Sequence, residues 1–106
     1  MRVVSQDNGT DIPFENTVFT VKKESNNDYS VYAIVPQLGN YKMATYSFEY
    51  LAKLSLEEMR NSQFTYQVLH NNKSPLFAIN KMDALFYHFP SNQEYLYKIK
   101  EELTNP

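Results

Sequence analysis

Apolar and polar residues alternate through the first half of the chain, which is the pattern of strands with one buried face. The alternation runs through residues 17–24, 29–35 and 41–46, and residues 1–6 form a shorter run of the same type. Segments rich in Asn, Gly and Pro separate these runs and favour tight turns. The pattern therefore predicts an antiparallel meander of short strands.

The same alternation assigns the side chains to two faces of the predicted sheet. One face is predicted to be buried and holds Phe19, Val21, Val31, Ala33, Val35 and Met43. The opposite face is predicted to project outward and holds Lys22, Tyr32, Lys42 and Tyr46. Ile34 and Ala44 share this outward face, which indicates that part of it is covered.

The hydrophobic period changes from strand to helix at Ser47, a residue type that favours the N-cap position. Residues 47–61 are predicted to form the central helix, with Glu49 in the first turn, where the helix dipole favours a carboxylate. The face predicted to be buried consists of Ala52, Ser55, Leu56 and Met59, with Phe48 one turn earlier. A flanking apolar patch is predicted to widen it and consists of Tyr50, Leu51 and Leu54.

The second half of the chain is more ambiguous. Residues 64–69 alternate like a strand, and we predict one there, although a continuation of the helix is the alternative. Residues 84–89 are predicted to be a strand that Pro90 ends. Ser91 and Glu94 have the spacing of a capping box, so a short C-terminal helix is predicted to begin there. The predicted fold is a single α+β domain over residues 1–106: an antiparallel meander sheet of four to five strands, one central helix packed on one face, and a short C-terminal helix.

Charge and composition exclude several classes of protein. The net charge is −2, whereas a protein that neutralises a nucleic-acid backbone is basic. The chain has no cysteine, hence no disulfide, thiol nucleophile or thiolate metal site. It has neither an apolar leader nor an apolar run of the length that a membrane span needs. We therefore expect a cytoplasmic protein that binds no membrane.

No motif specifies a reaction. The two glycines, Gly9 and Gly39, cannot form a glycine-rich phosphate loop. His70 is expected to be solvated in a loop, and His88 is a candidate catalytic or metal-binding residue without a visible partner. A set of carboxylates could serve acid–base chemistry or bind a cation, but its spacing is more typical of solvated faces: Asp7, Asp11, Glu15, Glu57 and Glu58. We expect no catalytic residue, no metal and no cofactor.

The outward face offers the strongest candidate for a partner-binding site. Tyrosines with neighbouring lysines, here Lys22, Tyr32, Lys42 and Tyr46, can anchor a protein partner or stack on a base. The alternative is an ordinary cross-strand tyrosine pair, with lysines that keep the sheet from aggregating.

Several short motifs resemble those of small uncharacterised proteins from phages and prophages of Gram-positive bacteria. They are MRVVSQD at residues 1–7, DIPFE at 11–15, MATYS at 43–47, EEMR at 57–60 and the FP step at 89–90. The resemblance implies a phage origin, expression in the cytoplasm of the host, and no essential catalysis.

We therefore expect a non-enzymatic phage or prophage accessory protein, monomeric or homodimeric, that binds a host or phage protein rather than nucleic acid. Inhibition of a host defence system, including CRISPR, is one form that this activity could take. The alternative is a module that binds a nucleotide or signalling molecule between the sheet and the helix.

Overall fold

The structure is a computed structural model that describes residues 1–71 and 86–104, and for residues 66–71 and 104 it describes the backbone alone. This part of the chain forms six strands and two helices. The strands are β1 (Arg2–Val4), β2 (Asp11–Pro13), β3 (Val18–Lys23), β4 (Tyr29–Val35), β5 (Gly39–Tyr46) and β6 (Phe86–His88). The helices are α1 (Glu49–Asn71) and α2 (Asn92–Thr104).

Strands β3, β4 and β5 form an antiparallel sheet in that order, as the alternating pattern predicts. The turn between β3 and β4 contains Asn27 at a φ of 69°, and the turn between β4 and β5 contains Gln37 at 68°. Gly39 follows at a φ of 123°, a conformation that residues with a β-carbon rarely adopt. These turns are short enough to join neighbouring antiparallel strands directly.

The remaining strands form a separate sheet in the order β2-β1-β6, which corrects the predicted meander. The α+β class is confirmed, but the strands are divided between two three-stranded sheets. Strand β1 pairs antiparallel with β2 and parallel with β6. Val3 lies opposite both Ile12 and Tyr87, and all three side chains are buried. Residues 84–85 of the predicted 84–89 strand lie outside the described residues.

Helix α1 extends to Asn71, so the prediction of a strand at residues 64–69 is wrong. No proline or glycine interrupts residues 48–71, and six alternating residues are too few to distinguish a strand from a helix. Three hydroxyl groups of the described residues bond back to their own helix: Ser55 Oγ to the carbonyl of Ala52 at 2.7 Å, Ser62 Oγ to that of Glu58 and Thr65 Oγ1 to that of Asn61, the last two at 3.0 Å.

The two helices begin side by side. Asn92 Nδ2 donates to Ser47 Oγ at 2.6 Å, and the Ser47 amide donates to Asn92 Oδ1 at 3.0 Å. The prediction that Ser47 caps α1 is therefore wrong, because Phe48 precedes the helix and its carbonyl accepts from the Leu51 and Ala52 amides. The predicted start of α2 is confirmed, since Ser91 Oγ accepts a hydrogen bond from the Glu94 amide at 3.1 Å.

The hydrophobic core lies between α1 and the inner face of the antiparallel sheet and continues under β1 and β6. The helical face predicted to be buried is confirmed for its main residues, Ala52, Ser55, Leu56 and Met59, and Leu51 of the flanking patch is also buried. The prediction is wrong for Phe48 and Tyr50, which are exposed at the start of the helix. The predicted inner face of the sheet is also confirmed, with Val31, Ala33 and Met43 buried and Phe19, Val21 and Val35 partly buried against them. None of the helices in the described residues is long and apolar enough to span a membrane.

Candidate partner-binding face

A β-bulge in β5 decides which of the predicted site residues reach the surface. Val31 lies opposite Ala44, whereas the next residue, Tyr32, lies opposite Lys42. Met43 is therefore the extra residue of the bulge, and it reverses the alternation that follows it. Ala44, two residues after Lys42, consequently faces the core and is buried.

The bulge also places Tyr46 in the core, so the prediction that Tyr46 projects outward is wrong. Its side chain is 1 % exposed, and its ring centroid lies 5.4 Å from that of Tyr95. Its hydroxyl donates to the carbonyl of Pro90 at 2.8 Å. Burial raises the pKa of Tyr46 far above its ordinary value. Tyr46 is therefore part of the structural core.

The other three predicted site residues lie together, and Glu24 joins them. The ammonium groups of Lys22 and Lys42 lie 5.9 and 5.8 Å from the centroid of the Tyr32 ring. The Tyr32 hydroxyl donates to Glu24 Oε1 at 2.5 Å, and Lys42 Nζ lies 3.4 Å from the same oxygen. We call these four residues the Tyr32 cluster.

Hydrogen bonds within the Tyr32 cluster favour the charged forms of Glu24 and Lys42. The hydrogen bond from Tyr32 is the largest cause that lowers the pKa of Glu24. Glu24 in turn raises the pKa of Tyr32 and of Lys42 by accepting their hydrogen bonds. At neutral pH the cluster thus holds two cations and one anion. Lys22 forms no salt bridge with any carboxylate of the described residues, and its ammonium group contacts the Tyr32 ring.

Apolar side chains adjoin the Tyr32 cluster on the same face. Val18 lies directly opposite Ile34, and their side chains are 59 % and 38 % exposed. Leu38, in the turn after β4, is 73 % exposed. Helix α1 packs on the opposite side of the sheet, so neither described helix covers these residues. We call the surface of Val18, Lys22, Tyr32, Ile34 and Lys42 the outer face.

Sequence reasoning missed two residues that matter here. Glu24 lies two residues after Lys22, so the alternation of side chains along a strand could have placed both on the same face. Gln6 joins the two sheets: its amide donates to the Met43 carbonyl at 2.9 Å, and its side chain accepts from the Thr45 amide at 2.8 Å. Gln6 Nε2 also donates to the carbonyls of Thr45 and Pro90. A lone glutamine gives no sequence signal for such a bridge.

A small cavity lies at the outer edge of β5 and has a volume of about 110 Å³. Its lining residues are Gln6, Asp7, Lys42, Met43, Ala44 and Thr45. Pockets for nucleotide-sized ligands span about 300–1,000 Å³. The cavity is smaller than this and does not lie between the sheet and α1, so it gives no support to the small-ligand alternative.

The candidate acid–base and metal-binding side chains that the structure describes do not converge on one site. His88 is exposed at the end of β6. The prediction of a loop at His70 is wrong, because this residue belongs to α1, and its side chain lies outside the described residues. Four of the five carboxylates have structural contacts instead: Asp7 accepts from Ser5 Oγ and the Gly9 amide, Asp11 pairs with Arg2, Glu15 accepts from the Met1 ammonium group, and Glu58 accepts from Tyr95. Within residues 1–71 and 86–104, no group of three or more His, Asp or Glu side chains could hold a metal ion.

Comparison with protein-family models, curated proteins and solved structures finds no match to this chain.

Proposed function

We propose that the protein is a non-enzymatic phage or prophage accessory protein that binds a host or phage protein through the outer face of its antiparallel sheet. The observation that carries the proposal is the composition of this face among the described residues, where two lysines approach Tyr32 beside the exposed pair of Val18 and Ile34. An apolar anchor next to polar and charged groups is the composition of a protein interface.

The charges on the outer face favour a partner surface that is acidic. The Tyr32 cluster contains two lysines and one glutamate, and Lys22 has no salt bridge among the described residues. A carboxylate of the partner that approaches Lys22 would increase the rate of association and fix the orientation of the complex. Val18 and Ile34 would supply the apolar contact area beside it.

A nucleic-acid ligand fits this face less well. Proteins that bind single strands stack bases on open aromatic rings inside a basic groove. The Tyr32 ring is approached by lysines from both neighbouring strands, and its hydroxyl is hydrogen-bonded to Glu24. The chain as a whole is also acidic. These features favour a protein partner.

The phage part of the proposal depends on the sequence motifs at residues 1–7, 11–15 and 43–47. A small phage protein that acts by binding could inhibit a defence enzyme of the host, including a CRISPR effector. Such inhibition requires an interface and no catalytic group.

Affinity capture with matched charge variants tests the proposed face. Immobilised wild type, Lys22→Glu, Ile34→Ser and Lys98→Glu are each incubated with lysate of a Gram-positive host, with and without phage infection. Lys98 is exposed on α2, away from the outer face, and controls for the change in net charge. We expect one protein to be recovered equally by wild type and Lys98→Glu and at least about tenfold less by both outer-face variants, since an interface anchor contributes ~1–2 kcal/mol or more. Equal recovery by all four proteins would contradict the proposal.

A further inference from the structure

We infer that the outer edge of β3 takes up an extended acidic segment of the protein partner as a fourth strand of the antiparallel sheet. The inference rests on the proposed function and specifies how the partner is bound. Strand addition supplies affinity through backbone hydrogen bonds, and side chains beside the edge supply specificity.

The two edges of the antiparallel sheet differ. Along β5, Gln6 acts as a substitute for a neighbouring strand, because its backbone amide donates to the Met43 carbonyl and its side-chain amide bonds to both backbone groups of Thr45. The bulge at Met43 distorts this edge further. The edge of β5 is therefore occupied at residues 43–45. No other strand of the described residues pairs with the outer edge of β3.

The register of the hairpin shows which groups of β3 are free. The Glu24 amide donates to the Asp28 carbonyl at 2.7 Å, and bonded and non-bonded pairs alternate along an antiparallel ladder. Lys22, Thr20 and Val18 consequently exchange hydrogen bonds with β4. The amides and carbonyls of Phe19, Val21 and Lys23 point away from the sheet and form a row that an added strand can pair with.

Charge selects an acidic occupant for this edge. Lys22 and Lys23 are both exposed and lie on opposite faces at the same end of β3. Carboxylates of an added strand can meet both ammonium groups, since cross-strand pairs of opposite charge are stabilising. When two copies are paired with Val21 opposite its counterpart, Lys22 instead lies diagonally next to the other Lys22. Lysines on an edge oppose such pairing between copies.

A peptide-binding experiment tests the edge directly. The probe is a fluorescein-labelled eight-residue peptide with blocked ends in which pairs of valines alternate with pairs of glutamates, so that the extended peptide carries carboxylates on both faces. Binding is followed by anisotropy at low salt. Two variants at one position separate charge from backbone: Lys23→Ala removes the ammonium group, and Lys23→Pro removes the ammonium group and the free amide. We expect Lys23→Pro to bind about two- to tenfold more weakly than Lys23→Ala, which is the contribution of one backbone hydrogen bond.

Two further measurements do not depend on the folding of Lys23→Pro. A peptide N-methylated at alternate residues should bind wild type at least about fivefold more weakly, and the unmodified peptide should slow hydrogen exchange of the Phe19 and Val21 amides. Equal binding of the two peptides, or unchanged exchange at both amides, would overturn the inference.

Self-association is the other outcome that would overturn the inference. If sedimentation showed a wild-type dimer that persists in Lys23→Ala and dissociates in Lys23→Pro, a second copy would occupy the edge. Loss of lysate capture in the outer-face variants with no peptide binding would overturn this inference and leave the proposed function intact.

Discussion

Tyr32 and Tyr46 have the same side chain and each donates a hydrogen bond, yet one lies in the outer face and the other in the core. The Tyr46 hydroxyl donates to a backbone carbonyl, that of Pro90, and its ring packs against Tyr95. The Tyr32 hydroxyl donates to the carboxylate of Glu24, and its ring lies beside two solvated lysines. The two environments differ because Tyr46 follows the bulge at Met43 in β5, which turns its side chain into the core, whereas Tyr32 lies on β4.

The difference shows how the fold divides its tyrosines between stability and recognition. Tyr46, Tyr87 and Tyr95 donate to acceptors on other elements: Pro90 before α2, and Ser55 and Glu58 on α1. Burial is the largest cause that raises the pKa of each of these tyrosines. These hydrogen bonds hold β6 and α2 against α1. The Tyr32 cluster, in contrast, lies within one sheet and joins no separate element, so a partner can contact it without disturbing the core.

The largest expected effect comes from truncation of the buried aromatic group. Phe89 is fully buried, with its ring edge-on to Tyr87 at 5.1 Å. Phe89→Ala should reduce the free energy of unfolding by about 3–5 kcal/mol, because it removes apolar contacts and leaves a cavity. Urea denaturation followed by circular dichroism measures the loss.

Tyr97→Ala is the matched control, because Tyr97 is an aromatic residue on α2 that is 64 % exposed. Its free energy of unfolding should stay within about 0.5 kcal/mol of wild type. If the two variants lost stability equally, Phe89 would not be part of a packed core.

Local patterns predicted most of the secondary structure and half of the topology. Strand β4 was predicted with its observed bounds, and α2 begins where the Ser91 motif predicts. The parallel pairing of β1 with β6 could not be predicted, because each strand has three residues and they lie at distant points in the sequence. At residues 64–69 a local pattern was misleading: their alternation predicts a strand, but these residues continue helix α1.

The sequence predicted the site residues correctly wherever side chains alternate along the strands without a bulge. Lys22, Tyr32 and Lys42 lie together as expected, because no irregularity separates them along the face. Tyr46 does not join them, because the extra residue of a bulge reverses all side chains beyond it. A bulge depends on how the neighbouring strand and Gln6 bond to β5, and the residues around Met43 give no separate signal of it.

A smaller effect should distinguish the hydroxyl groups of the two tyrosines. Tyr46→Phe removes the hydrogen bond to the Pro90 carbonyl, which still accepts from Gln6 Nε2. The loss of stability should therefore be about 1 kcal/mol, the net contribution of one hydrogen bond. Tyr32→Phe should lower stability by less, since its partner Glu24 can be solvated when the bond is lost. An equal or larger loss in Tyr32→Phe, measured by urea denaturation, would contradict the division between core and outer face.

The smallest effect is a change in the titration of Glu24. The hydrogen bond from Tyr32 is the main cause that holds the pKa of Glu24 below its ordinary value of 4.5. Tyr32→Phe should raise this pKa, and NMR titration of the side-chain carboxyl carbon measures it. Because the folded-state pKa is lowered, the stabilising contribution is present above pH 4.5 and is lost as the pH falls through the folded-state pKa. The stability difference between wild type and Tyr32→Phe should therefore be present at pH 7 and close in acid. Lys22→Ala is the control: it leaves the hydrogen bonds of Glu24 intact, and the pKa of Glu24 should not change. If Glu24 titrated equally in wild type and Tyr32→Phe, its hydrogen bond with Tyr32 would be absent in solution.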